Sequence, residues 1–147
     1  MAGYLVDTNV LLRLLQEESD QYDLVFGAMD KLGAGGDVVF ITPQVVIEFW
    51  SAATRPVEVN GFGWDVELAS ARVRDAMRRF PLLEDCPAIV HLWLEFVHRY
   101  GVKGKRTHDT RLVAVMQAHG VENLLTFNVD DFAAFKEINA VHPASVK

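Results

Sequence analysis

Five acidic residues occupy positions where a carboxylate can be a ligand. Asp7 follows the strand-forming run Tyr4-Leu5-Val6 and precedes Val10, Leu11, Leu14 and Leu15, which recur at helical spacing. Glu48 interrupts a helical apolar run made by Val45, Val46, Phe49, Trp50 and Ala53. Asp109 opens a late helical stretch, and Asp130 and Asp131 follow another strand-forming run, 123–127. Hard oxygen ligands of this kind, with water in the gaps, suit Mg²⁺ or Mn²⁺. Such a metal lowers the pKa of bound water and neutralises the charge that develops on a phosphodiester. Each acid also has an ordinary reading. Asp is common in turns, Glu48 can be a solvated residue at a pocket rim, and an acid in a first helical turn is favoured by the helix dipole. Joint placement is what points to chemistry.

The elements that must position these acids alternate between strand and helix. Strands are expected at 4–6, 38–41 and 123–127, with a last short one at 141–142. Helices are expected after the first strand, at 22–31, after Thr42, after Asp65, from Pro87 to Gly101, and from Thr107 to Gly120. Thr8 or Asn9 can cap the first helix, Thr42 the third, with Pro43 at its first position, Asp65 the fourth, Asp85 the fifth and Thr107 the sixth. On the fourth helix Val66, Ala69, Val73, Met77 and Phe80 read as the buried face, and on the fifth Val90, Trp93, Leu94, Val97 and Tyr100. The acids then fall at carboxyl ends of strands or on the helices that follow, the edge where open α/β sheets bind ligands. Gly33-Ala34-Gly35-Gly36 comes after a helix and before a strand, the reverse of a dinucleotide fingerprint. His91 and His98 lie too far apart for a zinc pair on a helix.

At 147 residues the chain suits one domain, 1–147, and a sizeable core. Hydrophobic residues are 50% and charged residues 23%, as in soluble globular proteins. No apolar run is long enough for a membrane span, no leader pattern opens the chain, and the one cysteine, Cys86, has no internal partner. These features predict a cytoplasmic protein. The net charge of −6 argues against binding nucleic acid by bulk positive charge. It leaves open a metal-filled acidic pocket with a few placed cations.

The chain resembles the PIN-domain ribonucleases, and within them the VapC-type toxins of toxin–antitoxin pairs. The resemblance spans nearly all of it and rests on Val6-Asp7-Thr8-Asn9-Val10-Leu11-Leu12, Thr42-Pro43-Gln44-Val45-Val46-Ile47-Glu48-Phe49, His108-Asp109-Thr110-Arg111-Leu112-Val113-Ala114 and Leu124-Leu125-Thr126-Phe127-Asn128-Val129-Asp130-Asp131-Phe132. It implies a three-layer α/β sandwich, a mainly parallel central sheet with helices on both faces. It implies that Asp7, Glu48 and Asp109 hold one or two Mg²⁺ or Mn²⁺ ions. At the fourth position many relatives have an acid where this chain has Asn128, so Asn128, Asp130 or Asp131 fills that place, with Asp131, which precedes Phe132, ranked first. Thr8, Asn9 and Thr126 would steady the ligands.

The implied activity is endonucleolytic hydrolysis of RNA, tRNA or rRNA, leaving a 5′-phosphate and a 3′-hydroxyl. Lys103, Lys105, Arg106 and Arg111, next to Asp109 in sequence, are the first candidate RNA contacts, with Arg13 and Arg55 behind them. The implied partners are an antitoxin protein and a second copy in a homodimer. Tyr22, Phe26, Trp50, Phe62 and Trp64 are the aromatic residues to follow at interfaces.

Other readings are weaker on the residues. A haloacid-dehalogenase-type phosphatase wants an Asp where Asn9 stands, and a receiver domain wants paired acids near the N-terminus and a late Lys. A PIN-like domain that binds RNA or protein without cutting it, and a housekeeping PIN nuclease without an antitoxin, are the remaining alternatives.

Overall fold

Four short runs of apolar and β-branched residues pair as a parallel sheet: β1 (Gly3–Val6), β2 (Val38–Phe40), β3 (Asn123–Leu125) and β4 (Asn139–Val141). Their order is β2-β1-β3-β4, and Leu5 faces Phe40 on one side and Leu124 on the other. A computed structural model describes all residues, 1–147. Parallel strands covered on both faces read as continuous apolar runs rather than alternating ones. Leu5, Val6, Leu124 and Leu125 accordingly have no exposed surface. The connection direction reverses between β1 and β3, which makes the carboxyl ends of these neighbours the switch point where α/β sheets take ligands.

Seven helices cover the sheet: α1 (Thr8–Leu14), α2 (Tyr22–Ala34), α3 (Pro43–Thr54), α4 (Val66–Arg79), α5 (Ala88–Arg99), α6 (Arg106–His119) and α7 (Val129–Phe132). They make the three-layer α/β sandwich expected from the sequence. α1 packs on α2 and α3, α3 on α4, and α5 on α6. One continuous apolar cluster fills the interior, from Leu5 on β1 through Phe49 on α3 to Met116 on α6. No helix is long and apolar enough to cross a membrane.

Several local expectations need correction. Asp7 itself, rather than Thr8 or Asn9, caps α1: its carboxylate accepts from the Thr8 N–H at 2.8 Å. Thr107 is not the cap of α6, because that helix starts a residue earlier, and the Thr107 hydroxyl donates to the Gly104 carbonyl. Asp85 does not cap α5; it pairs with Arg111 at 2.9 Å. α2 continues through Gly33 to Ala34, since tertiary packing of Ala28, Met29 and Leu32 outweighs glycine's weak propensity. On α5 the buried residues are Ile89 and Phe96, whereas Val90 and Leu94 are exposed. On α4 they are Ala69 and Ala76, with Val66 and Met77 exposed. Both errors come from choosing among several apolar residues spread around a helix, which periodicity alone cannot rank. Thr42 caps α3 through the Val45 N–H, and Asp65 caps α4 through the Leu68 N–H, both as read from sequence.

Candidate active site

Asp7 is placed by backbone geometry before any side chain acts. Its N–H continues the β1–β3 ladder by donating to the Leu125 carbonyl at 2.9 Å, and its extended φ of −75° and ψ of 158° let the next residue begin α1. That step sets the carboxylate beside the end of β3. There Oδ2 accepts from the Thr126 hydroxyl at 2.8 Å, while Oδ1 accepts from the Thr8 N–H. Asn9 bridges the same two strand ends. Its amide nitrogen lies 3.4 Å from both Asp7 Oδ2 and the Thr126 hydroxyl, and its Oδ1 accepts from the Phe127 N–H at 3.2 Å.

Glu48 comes from the middle of α3, one face of which packs on α1. It is half-buried, and Oε1 accepts from the Thr8 hydroxyl at 2.9 Å. Asp109 stands in the first turn of α6 and is also half-buried. Asp7, Glu48, Asp109 and Asn128 line one cavity of about 420 Å³, with Arg55 at its edge. Asp130 and Asp131 line a neighbouring cavity of about 410 Å³ that shares Asn128 with the first. The acids line these walls rather than converge on a point: no three His, Cys, Asp or Glu side chains are grouped tightly enough to hold a metal ion between them.

The electrostatics follow from burial and mutual repulsion. Burial pushes the Asp7 carboxyl up from an ordinary 3.8 to about 6. The hydrogen bonds from Thr126 and Thr8 oppose this, and the charges of Asp109 and Glu48 add to it. Asp109 is likewise raised, by burial first and then by Asp131 and Glu48, against the opposing pull of Arg106 and His108. Asp131 thus acts on Asp109 across the boundary between the two cavities.

The cations divide differently from their order in the sequence. Lys103 and Lys105 are exposed beside the start of α6. Arg106 donates to the backbone carbonyl of Asp131 at 3.0 Å, fastening α6 to α7. Arg111 is committed to Asp85 and to Gln44 Oε1. Arg13 bonds Gln16. Arg55, ranked behind the α6 cluster on sequence, is the arginine on the acid cavity itself. The signal was the glycine-bearing loop after it. The N–H groups of Phe62, Gly63 and Trp64 donate to the carbonyls of Ala52, Arg55 and Ala53, folding the loop back on the end of α3. A Cβ at Gly61 would lie 1.8 Å from the Arg55 carbonyl oxygen, so only glycine fits there. Phe62 and Trp64 dock with Phe49 as an aromatic set, and Phe26 is exposed beside Tyr22.

The sequence model of the PIN domain matches residues 4–138. The chain belongs to the PIN domain family. Over 131 residues this PIN domain is 24% identical to ribonuclease VapC24 of Mycobacterium tuberculosis, covering 88% of this chain and 89% of that protein. Its fold is similar to that of VapBC2 from Rickettsia felis bound to a promoter DNA fragment, with a TM-score of 0.72 and 14% identity over 95% of this chain and 98% of that one. It is also similar to VapBC-1 from nontypeable Haemophilus influenzae, with a TM-score of 0.70 and 15% identity over 96% and 98%. VapC20 of Mycobacterium tuberculosis, a sarcin-ricin loop cleaving toxin, aligns with a TM-score of 0.64 and 18% identity over 90% and 95%.

Proposed function

We propose that this PIN domain is a divalent-metal-dependent endoribonuclease, the toxin of a cytoplasmic toxin–antitoxin pair, acting as a single domain over residues 1–147. The observation that carries the reading is the gathering of Asp7, Glu48 and Asp109 on one cavity at the β1–β3 switch point, with Asp7 raised to about 6 by burial and by its acidic neighbours. Acids held together against their own repulsion are what a cation site needs. The donor set fits Mg²⁺ or Mn²⁺ in kind: the acids are hard oxygens around one cavity of about 420 Å³, and one ion or two that keep several waters would reach the separate walls partly through those waters. Asp7, Glu48 and Asp109 would hold it, with Asn128 and Asp131 toward the fourth side. A bound ion supplies Lewis acidity toward the phosphodiester and a lowered pKa for its water.

The chain's own groups do the rest. Thr126 and Thr8 hold the two Asp7 oxygens, and the Thr8 hydroxyl at the same time holds Glu48, so one threonine sets the spacing of two acids. Arg55 offers a cation at the cavity edge, and Lys103, Lys105 and Arg106 offer charge beside Asp109, where RNA phosphates pass. The products would be a 5′-phosphate and a 3′-hydroxyl, from tRNA or rRNA. The resemblance to ribonuclease VapC24 supports the activity, and the VapBC neighbours support an antitoxin partner; the homodimer is carried by the family resemblance alone. Asn128 at the fourth position favours one second reading, a PIN domain that binds RNA without cutting it.

Cleavage of labelled total RNA with Mg²⁺ or Mn²⁺, beside EDTA and Asp7→Ala controls, separates the two. Discrete metal-dependent fragments lost in Asp7→Ala establish the nuclease. Binding without fragments by folded, antitoxin-free protein establishes the second reading.

A further inference from the structure

The cavity beside the acid pocket has a lining unlike that of a phosphate site. It holds about 410 Å³ at the carboxyl ends of β3 and β4, between Phe127, Asn128, Val129, Asp130, Asp131 and His142. No Lys or Arg lines it. The Phe127 and His142 rings meet edge to face, with centroids 5.3 Å apart and planes at 82°. Both rings are half-buried. The Phe127 backbone is held by its N–H to Asn9 Oδ1, and the His142 ring is held by Nδ1 accepting from the Ala144 N–H at 3.0 Å. In the neutral ring that bond leaves the proton on Nε2 as a free donor. An edge-to-face ring pair, a free N–H and the Asp130 carboxylate form a lining that repels phosphate and attracts the flat, N–H-bearing edge of a base.

From this geometry we infer that the Phe127–His142 cavity is a nucleobase subsite, seating an unpaired base of the RNA next to the phosphodiester bond to be cut. The inference rests on the ribonuclease reading for its substrate, and it adds a base-recognition site to it. Unpaired RNA bases are recognised by stacking on Phe and His rings and by hydrogen bonds to their exposed edges. The two cavities share Asn128 as a wall, so a base seated in one lies beside the acids of the other. Asp130 accepts but cannot donate, so the subsite favours bases that carry an amino group, guanine above all, whose N1–H and N2–H lie side by side, and disfavours uracil.

The test reads binding separately from cutting. Fluorescein-labelled octaribonucleotides (oligo-A, oligo-C, oligo-U, alternating UG, and an abasic octamer) are titrated by anisotropy in EDTA with the wild type, Phe127→Leu and His142→Asn. Leucine keeps the apolar bulk without the ring. Asparagine keeps an acceptor for the Ala144 N–H without the ring, so helical content and melting temperature should hold. The expected result is a preference of about 10-fold for amino-bearing over abasic RNA in the wild type, the scale of one stacked base, that collapses toward unity in both variants. Folded variants that keep the wild-type preference, or a wild type without one, overturn the subsite. The same octamers with Mg²⁺ then report on cutting: base-dependent binding without cleavage sinks the nuclease and keeps the subsite, and cleavage indifferent to both substitutions does the reverse.

Discussion

The Thr126 hydroxyl donates to Asp7 Oδ2 at 2.8 Å across 119 positions of sequence, joining the ends of β3 and β1. This bond holds the most buried acid of the cavity in its charged form, since it pulls the Asp7 pKa down against the larger effect of burial. Thr126→Val keeps the side-chain shape and removes the donor. Asp7 should then titrate above its present value of about 6, and cleavage should fall by about 10- to 100-fold, as for outer partners of metal ligands. A pH–rate profile checks it: the acid limb moves to higher pH in the variant. A rate loss with no movement of that limb would mean that Thr126 only supports the fold.

Asp7→Asn should abolish cleavage and stabilise the metal-free protein. The Asp7 pKa is raised from 3.8 to about 6, so the folded protein binds this proton more tightly than the unfolded chain does. Stability from Asp7 therefore falls as pH rises from about 4 to about 6, and the full penalty persists above that, roughly 3 kcal/mol for a shift of about two units. The raised Asp109 pKa acts in the same direction. Urea denaturation of wild type in EDTA should show the decline between pH 4 and 6.5, and Asp7→Asn should show a shallower one. A flat wild-type profile would contradict the burial argument.

Divalent cation should stabilise in the opposite sense to this penalty. Binding to the folded state alone raises stability by mass action, and it requires deprotonated carboxylates. The melting temperature gain from 10 mM Mg²⁺, a concentration set on the order of weak Mg²⁺ sites, should be larger at pH 8 than at pH 5 and absent in Asp7→Asn. Equal gains at both pH values would mean that the ion binds elsewhere.

Gly61→Ala and Arg55→Ala should separate a fold effect from a site effect. A Cβ at Gly61 overlaps the Arg55 carbonyl oxygen, so Gly61→Ala should destabilise by about 3 kcal/mol and also lower cleavage. Arg55 is exposed, and its guanidinium makes one hydrogen bond, to the Asn60 carbonyl at 3.3 Å. Arg55→Ala should leave the denaturation midpoint within about 0.5 kcal/mol while weakening RNA affinity and its salt dependence. Arg111→Ala, with its partners Asp85 and Gln44, should cost stability more than affinity.

Much of this protein was legible in one dimension because its signals are local. The runs expected as strands at 4–6 and 123–127 mark two buried parallel strands by composition alone, although β3 itself ends at Leu125. Thr42-Pro43 and Asp65 mark helix starts through hydrogen bonds that reach only three residues. Asp7 and Glu48 stood out because each ends or breaks an apolar run, and Asp109 because it opens a helix. Their common cavity follows from the order of strands, β2-β1-β3-β4, which local pattern does not encode but which brings 7, 48 and 109 to one edge. What lay beyond the sequence was decided by contacts between distant segments. Nothing near Arg111 says that Asp85 and Gln44 would engage its charge, and nothing near Phe127 says that His142 would close a second cavity beside it. Val90 and Leu94 looked as apolar as Ile89 and Phe96, and only the packing of α5 on α6 chose which pair to bury. Periodicity states that a helix has an apolar side; the neighbour it meets determines which residues that side contains.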